Sequence, residues 1–277
     1  MTLLEAVILG LIQGFTEFLP ISSSGHLVLG KELLHISALA TEEIGITFEV
    51  FVHFGTLLAV VTVFWSDVLK LINAFFSLFT IPFKETTIEE KYHQDSFFRM
   101  MVLILLGSLP AGIIGIFLED TIEDAFGSPK LVCAMLLVTG AILLSSRYFL
   151  NGKQKLNSSN ALVIGLAQAF AIIPGISRSG STISTGLIMG LEREESARFS
   201  FLLALPVIAG ATVLKLKELI GSPPESAMIL NLIVGTIVAY LSGFVAIKIL
   251  LAVVRHGRLD RFSYYCFVIG IIGLLFI

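Results

Sequence analysis

Five ionisable side chains interrupt otherwise apolar sequence: Glu17, His26, Glu49, His53 and Arg178. Such groups are costly in hydrocarbon and are candidates for function by default. Gln13 and Glu17 are four residues apart, so they share one helix face. A carboxylate beside an amide can bind a divalent cation or orient a neighbouring imidazole. The plainer alternative is a hydrogen bond between helices, a task that usually falls to Ser, Thr, Asn or Gln. Past Pro20 the chain reads Ser22-Ser23-Ser24-Gly25-His26. A hydroxyl three residues before an imidazole, in a turn ahead of a helix, can act as nucleophile and base. Free N–H groups at the start of that helix would hold an anion. The alternative is a serine-rich helix cap with His26 bonded to a nearby carbonyl.

A second loop reads Pro174-Gly175-Ile176-Ser177-Arg178-Ser179-Gly180-Ser181-Thr182. Guanidinium, hydroxyls and backbone amides together suit phosphate oxygens. Within a bilayer Arg178 needs an anionic partner, either a phosphate or Glu17. Both hold if an internal ion pair rearranges when substrate arrives. Glu49 and His53, also four apart, open an apolar span. Glu49 is a further candidate ligand, and His53 is expected to bond a neighbour in its helix.

These groups sit in two stretches of nearly the same text. Gly10-Leu11-Ile12-Gln13-Gly14-Phe15 falls on Gly165-Leu166-Ala167-Gln168-Ala169-Phe170. The same offset of 155 places Ile21 on Ile176, Ser22 on Ser177, Ser24 on Ser179 and Gly25 on Gly180. Each copy is an apolar helix pattern that breaks at Pro and becomes a polar Ser/Gly loop. Irregular polar backbone at membrane depth is tolerated only when buried in protein or lining a cavity. Weaker echoes follow, with Gly55 repeated as Gly210, Gly107 and Gly115 as Gly235 and Gly243, and Cys133 with Gly140 as Cys266 with Gly273.

The elements that must position these loops are membrane helices. Hydrophobic residues make up 56% of the 277 residues and charged ones 14%, against about 25% charged in soluble domains. The mean hydropathy is +0.94. Apolar runs approach the roughly 20 residues that cross a 30 Å hydrocarbon core. They cover about 47–65, 100–118, 131–150, 199–216, 227–251 and 262–277. The segments 3–29 and 161–191 are too broken for one straight crossing and read as re-entrant pairs of short helices. The expected fold is an all-α integral membrane protein with six transmembrane helices and two re-entrant hairpins. It would form one membrane domain, 1–277, made of two repeats, about 1–150 and 151–277.

Lys and Arg alternate between loop sets. Lys70, Lys84, Lys91, Arg99, Arg147, Lys153, Lys155, Arg193, Arg198, Arg255, Arg258 and Arg261 form the basic set, which should face the cytoplasm. Both termini would then lie outside, and the hairpins would enter from opposite faces as an inverted repeat. That architecture is common among secondary transporters, so a carrier is a serious alternative to an enzyme. A net charge of −3 without a basic cluster argues against nucleic acid. Cys133 and Cys266 lie in apolar runs and read as small core residues. The early Glu5 and the lack of a basic N-terminal stretch argue against a removable signal peptide.

Gln13 with Glu17, and Pro174 through Thr182 in the pattern Pro-Gly-x-Ser-Arg-Ser-x-x-Thr, resemble the two motifs of the undecaprenyl-diphosphatase (bacitracin-resistance) family. The resemblance runs along essentially the whole chain and includes Phe48-Glu49. It implies a bacterial inner-membrane enzyme that converts undecaprenyl diphosphate to the monophosphate carrier of cell-wall synthesis, with its site open to the outer face. Its lipid substrate would be a polyprenyl diphosphate. Glu17, Ser23, His26 and Arg178 become the catalytic candidates. Ser22, Ser24, Gly175, Ser177, Ser179 and Thr182 become phosphate contacts. The resemblance also implies a divalent cation, Mg2+ or Ca2+, with Gln13, Glu17 and Glu49 as possible ligands. The expected chemistry is attack by Ser23 on the distal phosphorus with His26 as base; His26 or water as nucleophile are rivals. The alternative function is a flippase for polyprenyl phosphate.

Overall fold

The computed structural model describes residues 1–34, 42–79, 87–149, 151–221 and 226–276. The chain builds helices throughout. Helix α1 (Leu3–Phe18) opens with a capping box, in which Thr2 and Glu5 satisfy each other's backbone N–H groups. It stops at Leu19-Pro20, because Pro20 disfavours helical geometry at the residue before it. Helix α2 (Ser23–Leu34) follows at once. Then come α3 (Glu42–Val63), α4 (Trp65–Ser77), α5 (Ile88–Gln94), α6 (Ser96–Phe117), α7 (Glu119–Phe126) and α8 (Pro129–Ser145). The second half holds α9 (Ser158–Phe170), α10 (Arg178–Ile188), α11 (Arg193–Gly221), α12 (Ser226–Arg255) and α13 (Arg261–Phe276).

Among the described residues, four helical stretches are long and apolar enough to cross a membrane, Ser96–Phe117, Pro129–Tyr148, Arg193–Val213 and Met228–Arg255. This is a multi-pass membrane protein. The apolar run 47–65 falls on α3, and just past Val63 the chain turns, so that α4 leaves α3 at 92°. Trp65, Leu69, Ile72, Phe75 and Phe76 are exposed along α4, as on a helix lying in the membrane interface. Arg198 of α11 holds it through two hydrogen bonds to Asp67, of 3.0 and 2.6 Å.

The halves pack by exchange. Helix α1 lies on α12, and α9 lies on α6. Lipid tails are as apolar as side chains, so close packing rather than hydrophobicity must hold such pairs, and small residues permit it. A methyl group on Gly10 would stand 2.7 Å from the Gly235 carbonyl oxygen, and one on Gly165 would strike the Gly107 backbone. These four glycines are the ones the sequence repeats in matching order. In the central core the Phe201 ring packs at a tilt against Phe18 and Phe64, with centroids 5.9 and 5.5 Å away. Cys133 and Cys266 are free and buried.

Candidate active site

Both hairpin tips use one backbone device. Ser22, at a φ of 69°, caps α2 by accepting from the Gly25 N–H at 3.2 Å. Ser177 caps α10 by accepting from the Gly180 N–H at 3.1 Å. Each cap hydroxyl also meets the serine two residues on, Ser24 at 3.1 Å and Ser179 at 3.3 Å. Uncapped N–H groups remain at both helix starts. The tips touch, since the Gly175 N–H donates to Ser24 Oγ at 3.4 Å. Gly175 has a φ of 94°, and a side chain there would strike α8 at Val132 and Met135. Thr139, also on α8, pins the second tip. Its hydroxyl donates to the Gly175 carbonyl at 2.9 Å and accepts from the Ser177 N–H at 3.0 Å.

Glu17 joins the two tips. Arg178 Nη2 donates to its Oε1 at 2.7 Å, and Ser23 Oγ donates to its Oε2 at 2.7 Å. Gln13 Nε2 adds a bond to Oε2 at 3.2 Å, and His53 Nε2 stands 3.9 Å from the same oxygen. The His53 Nδ1–H donates to the Glu49 carbonyl at 2.8 Å. Ion pairs this deep gain most when further hydrogen bonds satisfy both partners. Glu17 meets that condition, whereas Arg178 keeps Nη1 buried and unpaired.

A cavity of about 190 Å³ lies at this junction. Thr16, Glu17, Ser22, Ser23 and Ser24 line it from the first hairpin, and Gln168, Ser177 and Arg178 from the second. Its walls include Ala111 and Val207. Each directly follows a proline inside a helix, Pro110 in α6 and Pro206 in α11. A proline has no N–H for its helix, so the backbone ladder is interrupted on both of these walls. Those prolines within apolar spans were the sequence signal for this wall.

Several expected site residues lie elsewhere. The His26 ring is held by the Ser22 carbonyl on Nδ1 and the Tyr265 hydroxyl on Nε2, both at 2.8 Å, and it stacks on the Tyr265 ring. Ser23 bonds Glu17 instead, so the expected Ser23–His26 pair does not form. The reason is geometric: the left-handed Ser22 turn folds the start of α2 back over the end of α1. Thr182 donates to the Arg178 carbonyl at 2.8 Å and pairs with Ser200 on α11 at 2.5 Å. It supports the loop from behind rather than lining the cavity. Ser179 and Gly175 are also absent from the lining, and Glu49 is exposed on α3. Tyr265 and Thr139 join or border the site without having been singled out, because only the fold brings them there, whereas the offset that pairs Gln168 with Gln13 was the signal for Gln168.

Among the described residues, no three His, Cys, Asp or Glu side chains converge. One carboxylate is present, with the unpaired Gln13 Oε1 beside it. That oxygen set fits a hard cation that takes its remaining ligands from phosphate and water.

A larger cavity of about 640 Å³ is lined by Arg99, Lys153, Lys155, Arg198 and Arg255 together with Glu192, Glu194 and Glu195. It contains neither hairpin tip. Arg99 and Ala111 share α6, so the two cavities stand roughly 18 Å apart along that helix.

Residues 6–272 match the family described as Bacitracin resistance protein BacA. A protein of Salinibacter ruber named Undecaprenyl-diphosphatase is 46% identical over 274 residues, covering 99% of each chain. Relatives of that name from Halothermothrix orenii and Methanosphaera stadtmanae are 46% and 41% identical, covering 99% of this chain and 98% and 97% of theirs.

Proposed function

This chain belongs to the family of the bacitracin resistance protein BacA, and we propose that it works as a phosphatase at the junction of its two hairpin tips. It is a membrane undecaprenyl-diphosphatase. It hydrolyses undecaprenyl diphosphate to undecaprenyl phosphate and inorganic phosphate, which recycles the cell-wall lipid carrier and confers bacitracin resistance. The relatives carry a hydrolase's name, and the flippase alternative gains nothing from them. One observation carries the assignment of the site: Ser23 and Arg178 hold opposite oxygens of one buried carboxylate, Glu17.

In the proposed step Ser23 Oγ attacks the terminal phosphorus and passes its proton to Glu17 Oε2. The bridging P–O bond breaks, and undecaprenyl phosphate leaves. Protonation removes the charge that held Arg178, so the guanidinium is released toward the phosphoryl oxygens as charge moves onto them. The uncapped N–H groups of α2 and α10 would donate to the same anion. Water then attacks the phosphoserine. Inorganic phosphate departs with the proton from water, and Glu17 returns its own to Ser23. Positioning and electrostatics supply most of the catalysis in phosphoryl transfer. Gln13 and Glu17 would hold a Mg2+ or Ca2+ ion, which neutralises diphosphate charge when bound. His26, tied to Tyr265, keeps the start of α2 in place rather than serving as base.

The cavity has the scale of a headgroup, so the long prenyl chain must lie outside it, along the membrane helices. Six crossings are assigned to α3, α6, α8, α11, α12 and α13, in two inverted repeats, 1–150 and 151–277. Asn231 bonds the Met1 carbonyl at 2.7 Å, so α1 starts beside the start of α12. Tyr92 meets Ser158 at 3.5 Å, so α9 starts near the start of α6. Arg99 of α6 and Arg255 at the end of α12 share the basic cavity. These contacts support hairpins that enter from opposite ends. With the basic end in the cytoplasm, the termini and the site open outward from the bacterial inner membrane.

Purified protein in detergent, given a long polyprenyl diphosphate, should release phosphate without any membrane gradient. Tight binding with no release would sink this reading.

A further inference from the structure

The two repeats place a glutamine at the same position, and the two amides meet different fates. Gln13 donates to Glu17 one helical turn later. Gln168 finds Ile172 at that place. Both of its amide atoms are buried without a partner, the residue is 2% exposed, and it lines the cavity beside Arg178. A buried unpaired amide is costly, and the great majority of buried polar side-chain atoms are hydrogen-bonded. Nothing in the fold of α9 requires a polar residue here, because leucine would fill the same space.

We infer that Gln168 is a further substrate-binding residue, whose Nε2 hydrogens donate to diphosphate oxygens alongside the unpaired Nη1 of Arg178. The inference rests on the phosphatase reading above. An amide contributes two N–H donors and no charge. It can therefore hold an anion without competing with Arg178 for Glu17. The first hairpin spends its glutamine on positioning the carboxylate, and the second keeps its glutamine for the ligand.

The test compares wild type, Gln168→Leu and Gln168→Glu, purified alike and assayed with one long polyprenyl diphosphate. Loss of a hydrogen bond to a charged group should raise KM about tenfold in the leucine variant. A contact made equally in ground and transition states leaves kcat within about twofold. The Tm of Gln168→Leu should equal or exceed that of wild type, since an unpaired buried amide has been removed. The glutamate variant should raise KM further, because it sets a carboxylate against the substrate. Wild-type KM in both variants overturns the inference, as does a KM rise matched by a lowered Tm in both. Failure of wild type itself to release phosphate would instead sink the phosphatase reading.

Discussion

The two hairpins share a frame and differ in their chemistry. Ser22 and Ser177 cap their helices through the same i+3 bond, and each meets a serine two residues on. Gly10 and Gly165 press on the opposite half in the same way. At other matched positions the residues diverge: Glu17 against Ile172, Ser23 against Arg178, His26 against Ser181. The first tip carries the carboxylate and the hydroxyl, and the second carries the cation. Ser23 and Arg178 occupy one repeat position, yet they reach the two oxygens of a single carboxylate. In the proposed mechanism the matched backbones supply two helix starts for one anion, and the divergence of a few side chains supplies the chemistry.

The comparison breaks most severely at the unmatched carboxylate. Glu17→Gln removes the proton acceptor and the partner of Arg178, and turnover should fall by about 10²–10⁴. An active Glu17→Gln protein would reduce this group to packing. Arg178→Lys keeps the charge but loses the planar fork. A loss of about 10²–10³ in kcat is expected, as for other donors to a developing anion. Near-normal turnover would refute the role given to the guanidinium.

Smaller effects test the frame. Thr139→Val leaves the Gly175 carbonyl and the Ser177 N–H without their partner, which should destabilise by about 1–3 kcal/mol. Thermal unfolding in detergent would show it, and an unchanged midpoint would mean that the second tip stands without α8. Gly10→Ala and Gly165→Ala sharpen the symmetry. Each overpacks a helix crossing at a cost of about 1–3 kcal/mol, and the two losses should agree closely. A large loss at one and none at the other would show that the halves do not pack equivalently.

Much of this was legible in the chain. The offset between the copies, their interruptions near Pro20 and Pro174, and the intramembrane Glu17 and Arg178 pointed to paired tips, and the structure brings those tips together through Glu17 and Arg178. Gln13, Ser22, Ser23, Ser24 and Ser177 all fall at or beside the cavity. What escaped depends on angles and distant partners. Ser-x-x-His spacing suggests a dyad, but a left-handed turn at Ser22 gives the hydroxyl to Glu17. Tyr265 lies 239 residues from His26, and no local pattern pairs them. The bend at Phe64-Trp65 carries no Pro or Gly to announce it. Thr182 reads as part of the loop motif, yet one helical turn carries its hydroxyl round to Ser200.

The central claim is that Ser23, activated by Glu17, takes the phosphoryl group in a cradle built from both hairpins. Rapid quenching of the purified protein with polyprenyl diphosphate labelled at the terminal phosphorus, followed by peptide mapping, tests it most directly. The account predicts acid-stable label on Ser23, lost in Ser23→Ala. Acid-labile label on His26 would contradict it.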